Sequence, residues 1–379
     1  TATPGPTVID ALSLLAEVGD ELLVRTVRDT HFAVLDRTPA GAMHRAIATA
    51  VYRGLTGGLG GASRALDRLA ATGIGPQLEA DPRGRFVSAA VNGLIGDRLL
   101  RERPQLAIPM AVRRHGADVE PVQEALAEAF PEATGRLVLF LHGLCENESY
   151  WQRPMRGGDP DRSGPTYARM LTERGWTPVM LRANTGLPLR ENGAALAALA
   201  QRLVDEWPVE VTRIALVGHS LGGLVMRAAS AVLTDVDVRW AELVTDVVTL
   251  GTPHLGAPIA RGIGHGSAGL GRLPETAAFG RLLDWRSRGV HDLVAGLAEE
   301  VPPLPHARYH LVSATLTRSE RHPVGHLVGD LLVRPRSAYG RDRTRTLFPD
   351  ADVLHVGGTD HFGLLNHAEV HRALREWLS

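Results

Sequence analysis

From about residue 105 onward, strand-length apolar runs alternate with helix-length segments, and this alternation constrains the fold more than any other feature of the chain. LAIPMAVRRHG (106–116), RLVLFLHG (136–143), TPVMLR (177–182), VTRIALVGHS (211–220), ELVTDVVTLGT (242–252), ARYHLVSAT (307–315) and ADVLHVGG (351–358) read as strands. EPVQEALAEAF (120–130), ENGAALAALAQRLVDEW (191–207), GLVMRAASAVL (223–233) and LLNHAEVHRALREWL (364–378) read as helices. A strand apolar on both faces must be covered on both faces, so the pattern predicts an α/β fold with a mostly parallel sheet between helical layers.

Two stretches depart from the alternation. Residues 7 to about 103 read as helical, with Leu15, Val18, Leu22, Arg25 and Asp29 separating apolar from charged positions at helical spacing. This predicts a helical N-terminal extension over 1–104 and a main domain over 105–379. The extension could cap the main domain, contact a second copy or face a lipid surface; an amphipathic stripe ordinarily faces a core, which favours packing on the main domain. Between about 254 and 305 the strand pattern also fails, and the flexible GIGHGSAGLGR gives way to helical sequence. A lid-like helical insertion over a pocket is expected there.

Within the alternating region, Gly218-His219-Ser220-Leu221-Gly222 joins an apolar strand to a helix. That context gives G-x-S-x-G its meaning, because a sharp strand-to-helix turn pushes the serine hydroxyl outward while bringing neighbouring backbone close enough to require glycines. Leu141-His142-Gly143-Leu144 ends an earlier strand at the same predicted edge of the sheet. The backbone N–H groups of Leu144 and Leu221 are the candidate oxyanion-hole donors, the second at the start of a helix.

A serine hydroxyl needs a histidine to take its proton and a carboxylate to orient that histidine. After an elbow of this kind the acid and then the histidine follow along the chain. His361 is expected to be the base, since it lies in a loop between the last strand and the last helix, whereas His355 lies in the strand and His367 and His371 on the helix. Asp330 is the expected acid, with Asp350, Asp352 and Asp360 as competitors.

VGHSLGGLVMRAA, LHGLCENESYW, TLGTPHLGAP, VGDLLVRPRSA and GTDHFGLLNHAEV resemble successive blocks of bacterial α/β-hydrolase esterases and lipases, including the group similar to GPI inositol-deacylases. The resemblance spans about residues 105–379 and implies an α/β-hydrolase fold. It also implies a triad of the elbow serine, the aspartate of the Gly-Asp block and the first histidine of the last block, which fall on Ser220, Asp330 and His361. One departure is local: where the family often has glycine after the aspartate, this chain has Leu331.

The implied activity is hydrolysis of carboxylic esters with apolar acyl groups, through an acyl-enzyme and without a cofactor. A small-molecule or lipid ester is the expected substrate. A serine acyltransferase or thioesterase would use the same residues, and a non-catalytic scaffold binding protein or lipid through the N-terminal helices is the alternative from another class. A net charge of −1 gives no global field to attract nucleic acid. No run of 18 apolar residues suggests a transmembrane segment, and the lone Cys145 removes the disulfide argument for secretion, so a cytoplasmic location is expected. His367 and His371 are four apart, but without an adjacent glutamate after the first they are expected to face solvent rather than bind metal. The arginine-rich stretch 334–345 is expected to be a solvated loop.

Overall fold

The computed structural model describes residues 82–155, 164–232, 239–257, 301–319 and 328–379, with scattered single positions outside these spans. The helices expected before residue 82 and most of the insertion expected at 254–305 lie outside the described residues.

The chain order begins with helix α1 (Pro82–Glu102), strands β1 (Ala111–Arg114) and β2 (Ala117–Val119), helix α2 (Gln123–Ala129) and strand β3 (Arg136–Leu141). Helix α3 (Tyr167–Thr172), strand β4 (Thr177–Arg182), helix α4 (Leu189–Glu206), strand β5 (Arg213–His219) and helix α5 (Leu221–Ser230) follow. Strands β6 (Val244–Leu250), β7 (Arg308–Thr315) and β8 (Asp352–Gly357) and helix α6 (Ala368–Trp377) follow, with four-residue helices at Arg239–Glu242 and Pro335–Ala338. The second of these buries Pro335, Ser337 and Ala338 in the stretch 334–345 expected to be a solvated loop.

All eight strands form one sheet in the order β2-β1-β4-β3-β5-β6-β7-β8. From β4 to β8 every pairing is parallel; β1 joins β4 and β2 antiparallel. The single expected strand over 106–116 is thus shorter and continues into a hairpin. His115 and Gly116, with φ of +51° and +80°, form its two-residue turn, the backbone sign that a hairpin of this length requires.

Side chains alternate between two cores, as the apolar runs demand. Leu137, Leu139 and Leu141 of β3 pack with Leu196, Leu203, Leu224 and Val225 of α4 and α5 on one face. Val138 and Phe140 pack with Tyr167, Leu171, Val370 and Leu374 of α3 and α6 on the other. Helix α3 interrupts what the sequence leaves as connection between two strands; at six residues it is too short for its periodicity to register.

The topology sets the site. β3 leads to β4 on one side, and β5 then returns to the other side of β3, so the connections diverge there and leave a crevice at the carboxyl ends. Leu141 pairs with Gly218, which starts the His-Gly loop and the serine turn side by side. Helix α1 packs near the same edge: a Cβ on Gly93 would come within 2.8 Å of the Cys145 backbone nitrogen, and Asn184 donates to the Gly96 carbonyl at 3.2 Å. No helix among the described residues is long and apolar enough to cross a membrane.

Candidate active site

Ser220 stands between β5 and α5 with φ +51° and ψ −121°, a strained conformation for a residue with a side chain. Its backbone N–H donates to Leu250 O at 2.9 Å, tying the turn to the end of β6. The flanking glycines are sterically required. A Cβ on Gly218 would lie 2.6 Å from Gly223 N, and one on Gly222 would meet the carbonyl oxygens of Leu141 and His142.

His361 begins the turn after β8 and is buried. Its Nδ1 lies 2.7 Å from Asp330 Oδ2, and its backbone N–H donates to Asp330 O at 3.1 Å. Burial alone would disfavour protonation of this ring; the Asp330 charge and hydrogen bond, followed by the charges of Glu146 and Asp360, outweigh it and raise the pKa above the ordinary value. Gly251 leaves room for the ring, since a Cβ there would come within 3.0 Å of it.

Asp330 lies in the loop after β7. Its Oδ1 accepts from Val333 N at 2.7 Å and Leu332 N at 3.0 Å, leaving Oδ2 for His361. Leu331 has φ +87°, so the glycine-like backbone survives here without the glycine.

Ser220 and His361 line one cavity of about 160 Å³, together with Leu144, Cys145, Glu146, Pro253, Ala257, Leu332, Val333 and Phe362 among the described residues. With Nδ1 engaged by Asp330, the His361 nitrogen left for a reaction is Nε2. The described contacts include no hydrogen bond from the Ser220 hydroxyl to this ring; such bonds commonly tighten only once substrate is bound.

In the His-Gly loop, Gly143 N donates to Glu146 Oε2 at 2.8 Å and Cys145 N to Thr185 Oγ1 at 3.1 Å. Leu144 N and Leu221 N have no acceptor among the described contacts. Leu221 is the first residue of α5, where N–H groups have no partner within the helix. His142 anchors the loop from below: its Nε2 accepts from Ala183 N at 3.2 Å, so its Nδ1 carries the proton facing Gly143 O, and burial lowers its pKa.

The competing histidines and aspartates are engaged elsewhere. His355 meets Thr315 Oγ1 at 2.8 Å, His367 accepts from Glu369 N at 3.2 Å, and His371 donates to Asn366 Oδ1 at 2.6 Å. The expectation that His367 and His371 face solvent is wrong: both are buried, and burial, helped by the Arg375 charge, lowers the His371 pKa to about 4. They pack at the start of α6 instead, where Tyr167 donates to Leu364 O and its ring lies tilted against that of His371, with centroids 4.6 Å apart. Asp360 caps Gly363 N at 2.8 Å, Asp352 meets His310 at 3.0 Å, and Asp350 is exposed.

Two residues of this region escape a reading of the motifs alone: Glu146 and His219, which are buried and paired at 3.0 Å. The available signal was an acidic residue three positions after the loop glycine and a histidine directly before the elbow serine.

Residues 183–267 match the family model described as the PGAP1-like alpha/beta domain. Together with the sheet order and the serine turn at its carboxyl edge, this decides the fold. The chain has an α/β-hydrolase fold. The match covers the elbow and helix α5, and agrees with the esterase and lipase resemblance of the sequence blocks. The Bacillus licheniformis lipase BlEst2 in mature form is similar to this chain at 20% identity over 64% of this chain and 91% of that one, with a TM-score of 0.45. The Pyrococcus furiosus esterase Pf2001 is similar at 14% identity over 65% and 83%, with a TM-score of 0.40. The NocB thioesterase domain from the nocardicin cluster is similar at 20% identity over 65% and 96%, with a TM-score of 0.37. A comparison with curated protein sequences gives no match.

Proposed function

We propose that the protein is a serine hydrolase of carboxylic esters with apolar acyl groups. The observation that carries the reading is a strained serine at the carboxyl edge of a parallel sheet, sharing a mostly apolar cavity with a histidine whose Nδ1 is held by a buried aspartate. In this reading His361 Nε2 takes the Ser220 proton as Oγ attacks the ester carbonyl. Asp330 holds the tautomer and stabilises the imidazolium that forms. The N–H groups of Leu144 and Leu221 receive the oxyanion, the alcohol leaves with the proton from His361, and water repeats the sequence to release the acid.

Residues 105–379 are then the catalytic domain, preceded by the extension over 1–104, of which α1 is the described part. The docking of α1 beside Cys145 and Asn184 supports a packing role for the last part of that extension.

The test is turnover of p-nitrophenyl esters of increasing chain length. Ser220→Ala is expected to lower kcat by about 10⁶-fold, to the background left by binding and the oxyanion donors. A variant that turns over at the rate of the unaltered protein overturns the reading.

A further inference from the structure

We propose that Glu146 and His219 form a buried strut that fixes the oxyanion loop relative to the base loop, and so act as positioning residues for the hydrolysis inferred above, on which this inference rests. The strut is a continuous chain of contacts. Gly143 N–H donates to Glu146 Oε2 at 2.8 Å. Both Glu146 carboxylate oxygens lie 3.0 Å from His219 Nδ1. His219 Nε2 in turn lies 3.2 Å from the backbone oxygen of His361.

Both nitrogens of His219 therefore face acceptors. A carbonyl oxygen can only accept, so Nε2 carries a proton, while Nδ1 faces the Glu146 carboxylate. Burial would raise the Glu146 carboxyl; the charge and hydrogen bond of His219, with the Gly143 N–H, hold it below its ordinary value instead. The His219 ring also packs against that of His361, with centroids 4.6 Å apart, and Trp151 lies edge-on to it at 6.4 Å.

The need for a strut follows from the sheet. The oxyanion loop leaves β3 and the base loop leaves β8, and β5, β6 and β7 lie between them. No ladder hydrogen bond joins those two strand ends, so their separation rests on what bridges the edge. Glu146 also occupies the Gly143 N–H, while the neighbouring Leu144 N–H has no acceptor among the described contacts. Displacing either loop by about 1 Å is expected to cost about 100-fold in rate, because the donors and the base must meet one reacting centre.

The test compares the full chain with E146A, E146Q, H219N and S220A, measuring kcat and KM for p-nitrophenyl butyrate, fluorophosphonate labelling and thermal unfolding. E146A is expected to lower kcat about 100-fold with KM held within about twofold. E146Q, whose amide can accept from Gly143 N–H and donate to Nδ1, is expected to recover to within about tenfold of the unaltered protein. H219N keeps a donor near Nδ1 but loses the one to the His361 carbonyl, and is expected to fall with E146A. Should E146A fail to fold, E146Q and H219N carry the comparison. Variants with unaltered kcat, losses confined to KM, or an E146Q no better than E146A or H219N overturn the strut. If the unaltered protein is not labelled, or S220A labels as well as it does, the hydrolase reading fails first and the strut falls with it.

Discussion

At the scale of single residues, the two buried carboxylates of the site, Asp330 and Glu146, are each committed to named partners. Asp330 commits Oδ1 to two backbone N–H groups and Oδ2 to His361, which fixes the ring with Nε2 turned from the acid. The same contact sets a pH dependence. A base must be neutral to act, and the His361 pKa is raised, so kcat/KM is expected to fall as pH drops through a value above the ordinary 6.5. The groups facing the ring are Asp330 and Asp360 from its flanking loops, Glu146 from the oxyanion loop and His219 from the end of β5. Asp330→Asn removes the strongest support for the protonated form, so the acidic limb is expected to move to lower pH while kcat falls about 10⁴-fold. A pH–rate profile of the variant superposing on that of the unaltered protein contradicts this assignment.

At the scale of elements, the elbow works because α5 starts in contact with β3. Gly222 on the first turn of α5 sits against the carbonyl oxygens that end β3, and backbone cannot move aside as a flexible side chain can. Gly222→Ala is expected to lower both Tm and activity, by displacing α5 and with it the Leu221 N–H; unchanged esterase kinetics contradict the close approach. The same elements show what was legible beforehand. β3, β5 and β6 are apolar on both faces and stood out, as did the turn at Ser220, because their signals are local in sequence. The β1–β2 hairpin was not, since its His115-Gly116 turn lacks the usual Asn-Gly or Asp-Gly signature. His371 was misjudged although α6 is strongly amphipathic: it shares the buried face with Val370 and Leu374, where it meets Tyr167 of α3, 204 positions earlier in the chain. Glu146 and His219 are 73 residues apart, and no periodicity reports a pairing made across two loops.

At the scale of the whole molecule, the two edges of the sheet divide the labour. The carboxyl edge holds the candidate site, with its strain at Ser220 and its open cavity. The opposite edge holds a stabilising cluster in which buried Asp246 faces Arg213 at 2.8 Å, Arg308 at 2.9 Å and His310 at 3.2 Å, joining β5, β6 and β7. Burial alone would raise the Asp246 carboxyl; hydrogen bonds from His310, Thr245 and Arg213 and the Arg308 charge lower it to about 2 instead. A depressed pKa stabilises above the unfolded value and is lost as pH falls from about 4 through about 2, here worth about 1–2 kcal/mol once solvent screening of the exposed arginine is allowed for. Urea unfolding is expected to show this loss in the unaltered protein and not in Asp246→Asn, and parallel pH dependences contradict it.

The most direct measurement of the central claim is covalent: reaction of the folded protein with a fluorophosphonate, followed by digestion and mass spectrometry of the adduct. An activated serine beside a histidine predicts one adduct, on Ser220, that forms in the native protein and not after heat unfolding. No adduct, or one on another residue with Ser220 unmodified, contradicts the account.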